Sequence, residues 1–330
     1  RNMYITGGIG QSASNEGFTT DYSLPNKEAY CETCASVGMV LWNSRMNAFT
    51  GESKYADVLE RALYNGALAG ISLAGDRFFY VNPLESDGNH HRQAWYGCAC
   101  CPSQICRFLP SVGGYVYGTS DDALWVNLYI GSTGSVAIGG KNVGVKQVTN
   151  YPWDGLVSIT FDDSFDKAVK LRVPGWCKKW RVSVNGTEYV KLPVVDGYVV
   201  LGGRELRYGR LGGGWKKGDA IVFDMDMPVE VVAADPRVKE DLGKRAIQRG
   251  PIVYCLEAVD NDVDLDEASV NNAAIYNDHF VEGLLGGVVR ITARTATQKL
   301  NFIPYYAWDN REAGKMKVWV DYRDYSSQSR

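Results

Sequence analysis

The chain has 330 residues, 45% of them hydrophobic and 22% charged, with a formal net charge of -3. That length holds two or three domains with a sizeable core, and the near-balanced charge, without any run of Lys or Arg, argues against a nucleic-acid partner. No stretch approaches the roughly 18 to 20 apolar residues of a membrane-spanning helix, so no membrane association is expected.

Residues 1 to 10 carry neither an initiator Met at position 1 nor the apolar core of a signal peptide, so the chain reads as if cut from something longer. From Ala35, the apolar positions Met39, Trp42, Met46 and Phe49 recur at helical spacing until Thr50-Gly51. Ser53 then reads as the N-cap of a second helix, with Tyr55, Leu59, Ala62 and Leu63 on one side and a stop near Asn65-Gly66. So short a link predicts an antiparallel helical hairpin. A third helix is expected from Pro102, with Ile105, Phe108, Leu109 and Val112 inward, ending at Gly113-Gly114. Three helices cannot enclose a core of their own.

Beyond about residue 120 the pattern changes to short β-rich runs: 124–130, 157–161, 169–173, 180–184, 198–201, 220–225, 252–256, 288–293 and 317–322. Asn185-Gly186 is a hairpin signal. This spacing predicts β-sandwich architecture in two units. The acidic run Asp260 to Glu267 reads as a solvated surface turn.

Six of the eight cysteines fall close together, in Cys31-Glu32-Thr33-Cys34, in Cys98-Ala99-Cys100-Cys101 and at Cys106. Cys177 and Cys255 stand alone and read as small buried hydrophobes, as does Cys106 within the third helix. Thiols clustered with a carboxylate suit a soft cation, most simply zinc. Spacing leaves the ligand set open. On a helix Cys31 and Cys34 share a face, whereas Glu32 and Cys34 point the same way only in extended backbone. Cys100 and Cys101 sit just before a helix N-terminus, which favours thiolate. A redox CxxC pair and a purely structural zinc compete with a catalytic centre. Eight thiols are too sparse for a disulfide framework, so a reducing compartment is expected: the cytoplasm, with the periplasm as the alternative.

Catalysis would need an acid beside the nucleophile. Glu16, in the polar segment Ser12 to Phe18, is one candidate, and Glu60 on the second helix is another. His90-His91 reads as an exposed loop pair rather than as ligands. The aromatics Phe78-Phe79-Tyr80 and Trp95-Tyr96 could stack on a sugar, although core packing is their default.

Gly7-Gly8-Ile9-Gly10, Ser14-Asn15-Glu16-Gly17-Phe18, Tyr30-Cys31-Glu32-Thr33-Cys34-Ala35 and Gly97-Cys98-Ala99-Cys100-Cys101-Pro102 together resemble the zinc-cysteine β-L-arabinofuranosidases of glycoside hydrolase family 127 and the related family 146. Val173-Pro174-Gly175-Trp176, Arg249-Gly250-Pro251 and Ile303 to Trp308 look like that family's β-domains, so the resemblance covers essentially the whole chain. It implies an α+β multidomain protein: the C-terminal part of an (α/α) six-hairpin barrel over 1–130, then β-sandwich domains over 131–232 and 233–330. It implies zinc held by Glu32, Cys34, Cys100 and Cys101, with Cys100 also the nucleophile, Glu16 the acid/base, and Glu60 and Tyr80 in contact with the sugar. The expected activity is retaining, exo-acting release of L-arabinose from β-L-arabinofuranosides of plant glycans. The alternatives are a glycosidase for another pectic pentose-like sugar and a zinc-stabilised carbohydrate-binding protein without catalysis. The implied partners are the glycan, a second copy docked through a β-sandwich domain, and the barrel half that these residues do not contain. Without that half the chain is expected to be poorly active.

Overall fold

The computed structural model describes residues 1–202 and 214–324. The chain forms two compact units, one of residues 1–40, 61–108 and 228–330, the other of residues 41–60 and 109–227.

Helix α1 spans Thr33–Thr50 and ends where Gly51, at φ +72°, takes the left-handed conformation that a side chain disfavours. Its position matches the sequence reading, but its buried face does not. Thr33, Ser36, Val37, Val40, Asn43 and Asn47 are buried, while Trp42 is 64% and Phe49 87% exposed. Part of the reason lies in the neighbouring turns. A Cβ on Gly66 would fall 2.6 Å from Ser36 Oγ, and one on Gly70 would fall 2.3 Å from Thr33 Cγ2. Backbone comes so close to the first turns of α1 that only small side chains fit between.

Helix α2, Ser53–Arg61, runs directly into a π-helical turn, Ala62–Ala67, so its expected stop at Asn65-Gly66 comes as a change of winding. Helix α3, Cys100–Phe108, starts two residues before the predicted Pro102 and continues as a 3₁₀ segment through Tyr115. Cys106 is exposed on α3, contrary to the buried position expected, whereas Cys177 and Cys255 are buried as anticipated.

The second unit carries two sheets. The five-stranded sheet runs Val194–Val195, Tyr198–Leu201, Ala168–Arg172, Ala123–Val126, Tyr117–Thr119, with a parallel pair between Ala123–Val126 and Ala168–Arg172. The six-stranded sheet runs Ser132–Ile138, Lys141–Thr149, Leu156–Phe161, Ala220–Met225, Trp180–Val184, Thr187–Tyr189. Asn185-Gly186 turns the last hairpin with both residues at positive φ, as a type I′ turn requires.

In the first unit the strands after residue 228 form one hydrogen-bonded network of ten with Glu85–Ser86. Ile252–Glu257 is buried at all six positions because both faces are covered. Val253 and Cys255 join a core with Tyr4, Cys31, Phe79 and Trp308, while Ile252, Tyr254 and Leu256 join one with Val270, Ile291 and Phe302. One face thus holds the segment that carries the cysteine clusters. The acidic turn is not simply solvated: Asp260 pairs with Arg311 at 2.5 Å, and Lys315 bridges Asp264 and Asp266.

Candidate metal centre and active site

The two cysteine clusters meet in the first unit through the starts of two helices. Glu32 precedes α1 and its carbonyl accepts the first helical bond, from Ser36 N–H at 3.0 Å. It therefore stands at the N-cap, with Cys34 in the first turn. Cys100 and Cys101 occupy the first turn of α3. Cys31, at φ +37°, bends the chain just before α1 and is itself buried in the apolar core, away from the group that Glu32 and Cys34 join. Glu32 and Cys34 are thereby brought to one place, with residues 30 to 34 at the very start of a helix.

Asn82 and Thr33 fix this turn. Asn82 Nδ2 donates to Cys31 O at 2.8 Å and to Thr33 Oγ1 at 2.9 Å, and Thr33 Oγ1–H donates to Phe79 O at 2.8 Å. Thr33 N–H donates to Tyr80 O at 3.0 Å, which ties the Tyr80 segment to the same turn.

One donor atom from each of Glu32, Cys34, Cys100 and Cys101 lies within 4.8 Å of the other three. Cys100 Sγ and Cys101 Sγ lie 3.5 and 3.4 Å from Glu32 Oε1, and 3.9 Å from each other. Tetrahedral bonds of about 2.3 Å to sulfur give edges of about 3.7 Å, so the spacing fits a four-coordinate metal. Electrostatics also call for a cation. Burial pushes the Cys34 thiol up to about 12 and raises Cys101 as well. Two helix N-termini favour anions here, yet three thiolates and a carboxylate need a stronger positive charge to ionise together. The thiols differ in access, since Cys101 is buried and Cys100 is not.

Tyr80 Oη lies 3.1 Å from Cys100 Sγ, and this contact, together with burial, raises its pKa. Glu16 sits exposed at the tip of a small loop closed by Ser12 and Gly17, at φ +50°, and its Oε1 accepts the Tyr30 hydroxyl at 2.9 Å. The Tyr30 and Tyr80 rings are neighbours, with centroids 6.1 Å apart. Two adjacent tyrosines thus stand beside Glu16 and Cys100 respectively. Tyr30 was visible in the sequence only as the residue preceding Cys31; nothing in its spacing marked it. Cys98 stays peripheral, exposed and 3.9 Å from Cys100 Sγ. His90 stacks on Phe79 at 4.9 Å and its Nε2 meets Val81 O at 2.9 Å, so it is a packed residue instead of the exposed one expected; His91 pairs with Asp309.

Glu60 belongs to the second unit, and its carboxylate is fully engaged there. Oε1 meets Arg172 Nη2 at 2.5 Å and the Tyr151 hydroxyl at 2.6 Å, and Oε2 accepts Trp176 Nε1 at 3.3 Å. Asp57, one turn earlier on α2, takes the other arm of Arg172 at 2.6 Å. These contacts are those of a buried ion-pair knot and leave Glu60 little capacity for a sugar.

Fold and site together define a multidomain α+β protein with a Glu/Cys₃ group able to hold a metal. The GH127 catalytic domain of β-L-arabinofuranosidases matches residues 1–114, the GH127 middle domain residues 123–227 and the family 127 C-terminal domain residues 229–321. The chain belongs to glycoside hydrolase family 127. It is 37% identical to a non-reducing end β-L-arabinofuranosidase of Bifidobacterium longum subsp. longum, over 97% of this chain and 53% of that protein. It is similar to the crystal structure of a GH127 β-L-arabinofuranosidase from Geobacillus stearothermophilus T6, with TM-score 0.90, 41% identity, and coverage of 98% of this chain and 55% of that one. A second solved GH127 β-arabinofuranosidase gives TM-score 0.91 and 39% identity, covering 98% of this chain and 54% of that one. The chain therefore spans about half the length of these relatives.

Proposed function

We propose that these residues carry the catalytic centre of a zinc-dependent, retaining, exo-acting glycosidase that releases L-arabinose from β-L-arabinofuranosides of plant glycans. The observation that carries this reading is the meeting of Glu32, Cys34, Cys100 and Cys101 at two helix N-termini, with Cys100 the accessible one of the adjacent pair. Zinc held by these four groups would keep the Cys100 sulfur ionised at neutral pH.

Cys100 Sγ attacks the anomeric carbon as the bond to the leaving oxygen breaks, and Glu16 gives that oxygen its proton. Glu16, now a carboxylate, takes a proton from water. The water oxygen attacks the same carbon, the carbon–sulfur bond breaks and the thiolate returns. Two displacements at one carbon retain its configuration. Tyr80, beside Cys100, is placed to orient the sulfur or the sugar ring.

The helices are read as one portion of an (α/α)₆ barrel. In support, α1 leaves Trp42 and Phe49 on its outer face, and the relatives are about twice as long. Domain limits near residues 130 and 232, and a cytoplasmic setting in keeping with eight free thiols, belong to the same proposal. The test is zinc content together with L-arabinose release from a chromogenic β-L-arabinofuranoside. One zinc per chain with slow, zinc-dependent release is expected, since these residues span about half of the relatives' length; bound zinc with sugar binding but no release would make the protein a zinc-stabilised carbohydrate-binding one.

A further inference from the structure

We infer that Tyr30 is the residue that positions the acid/base, holding the Glu16 carboxyl group in register with Cys100; the inference rests on the functional reading above. Glu16 is exposed on a loop whose backbone is tied only to itself and to its near neighbours. Ser12 and Gly17 exchange backbone bonds at 3.3 Å, Asn15 Oδ1 accepts Gly17 N–H at 3.2 Å, and Asn15 Nδ2 donates to Phe18 O at 3.3 Å. Those bonds fix the loop's shape and leave the Glu16 side chain free to rotate. Tyr30 is different: its ring is buried, its backbone runs directly into Cys31 and Glu32, and its hydroxyl donates to Glu16 Oε1 at 2.9 Å. Its ring centroid lies 6.1 Å from that of Tyr80, whose own hydroxyl is 3.1 Å from Cys100 Sγ. Tyr30 thus ties the loop that carries the acid to the turn that carries the ligands. With Oε1 occupied by this bond, Oε2 is the oxygen left to face the leaving group. A flexible carboxylate held by one bond loses most of its alternative rotamers, which is a contribution to turnover more than to affinity.

The test compares Tyr30→Phe with the wild type as zinc-loaded protein, on two β-L-arabinofuranosides: one with a 4-nitrophenol leaving group, which departs with little acid help, and one with an alkyl alcohol, which needs it. The expected result is a kcat loss of about tenfold or more on the alkyl glycoside, a much smaller loss on the nitrophenyl glycoside, little change in KM, and unchanged zinc per chain. Tyr30→Leu, which also removes the ring, would lower thermal stability in addition, whereas Tyr30→Phe would not. Equal losses on both substrates, or a loss confined to KM, would show Tyr30 to be structural packing and overturn the inference. Unchanged kinetics in Tyr30→Phe would overturn it too. A zinc-loaded wild type that hydrolyses neither glycoside would instead overturn the functional reading on which it stands.

Discussion

Two groups of ionisable side chains, one in each unit, are built on opposite plans. In the second unit Asp57 and Glu60 are closed around a fully buried Arg172; burial alone would lower its pKa, but the two carboxylates drive it well above the ordinary value. That knot contains its own counter-charge. In the first unit Glu32, Cys34, Cys100 and Cys101 gather groups that ionise only to negative charge, and burial pushes the Cys34 and Cys101 thiols toward their neutral form. A cluster that supplies its own counter-charge is a structural element, whereas one made only of acidic groups is able to hold a cation. The difference separates Glu60 from the catalytic candidates more clearly than sequence position does.

Loss of the nucleophile tests this contrast most severely. Cys100→Ser should lower kcat on the order of 10³-fold or more while sugar binding, followed by calorimetry, persists; near-normal turnover would end the nucleophile assignment. Removal of a proposed ligand comes next. Cys34→Ala should leave well under one zinc per chain by elemental analysis, while Cys106→Ala, on the exposed face of α3, should leave it unchanged. Zinc binding should also release protons, because burial holds the Cys34 thiol near 12 without a cation. Affinity should accordingly weaken as pH falls, a trend that buffer-dependent calorimetry would read.

In the self-compensated group, Glu60→Gln leaves Arg172 short of one charge and should cost about 3 kcal/mol, seen as a lower Tm with zinc content intact. A raised KM without any change in Tm would instead restore Glu60 as a sugar contact. The smallest effect is expected at Asp241, a buried carboxylate whose amide partner Asn26 lies 2.8 Å away. Burial raises its pKa to about 6, so the stability it contributes in the protonated form is lost as pH rises from its unfolded value of 3.8 through about 6. Asp241→Asn should therefore stabilise the protein at pH 7 and make no difference below pH 3.8, read as the change in Tm at the two pH values.

Much of this was legible from residue pattern. Short β-rich runs located the strands around 157–161, 180–184, 220–225 and 252–256, and Asn185-Gly186 its hairpin. The hairpin of Ser132–Ile138 and Lys141–Thr149 escaped because one of its faces is open and rich in Gly, Ser, Thr and Lys. Strand Ile275–Val281 escaped likewise, since it is a largely exposed sheet edge without alternation. For α1 the periodicity gave the right helix and the wrong face, because hydrophobicity does not reveal a helix packed on glycine backbone. Cysteine spacing located the centre, but the choice of Glu32 over Cys31 turned on the left-handed bend at Cys31, which no propensity for cysteine would suggest.

The close approach of Gly66 and Gly70 to Ser36 and Thr33 also bears on how far this chain can drift under mutation. Neither glycine touches the four ligand groups, and a scan limited to those would call both positions permissive. Yet any larger residue there must displace the first turns of α1, and Glu32 and Cys34 would move with them. Preserving those four residues while varying their surroundings would therefore not preserve the cluster; a directed-evolution library should hold Gly66 and Gly70 fixed as firmly as the cysteines.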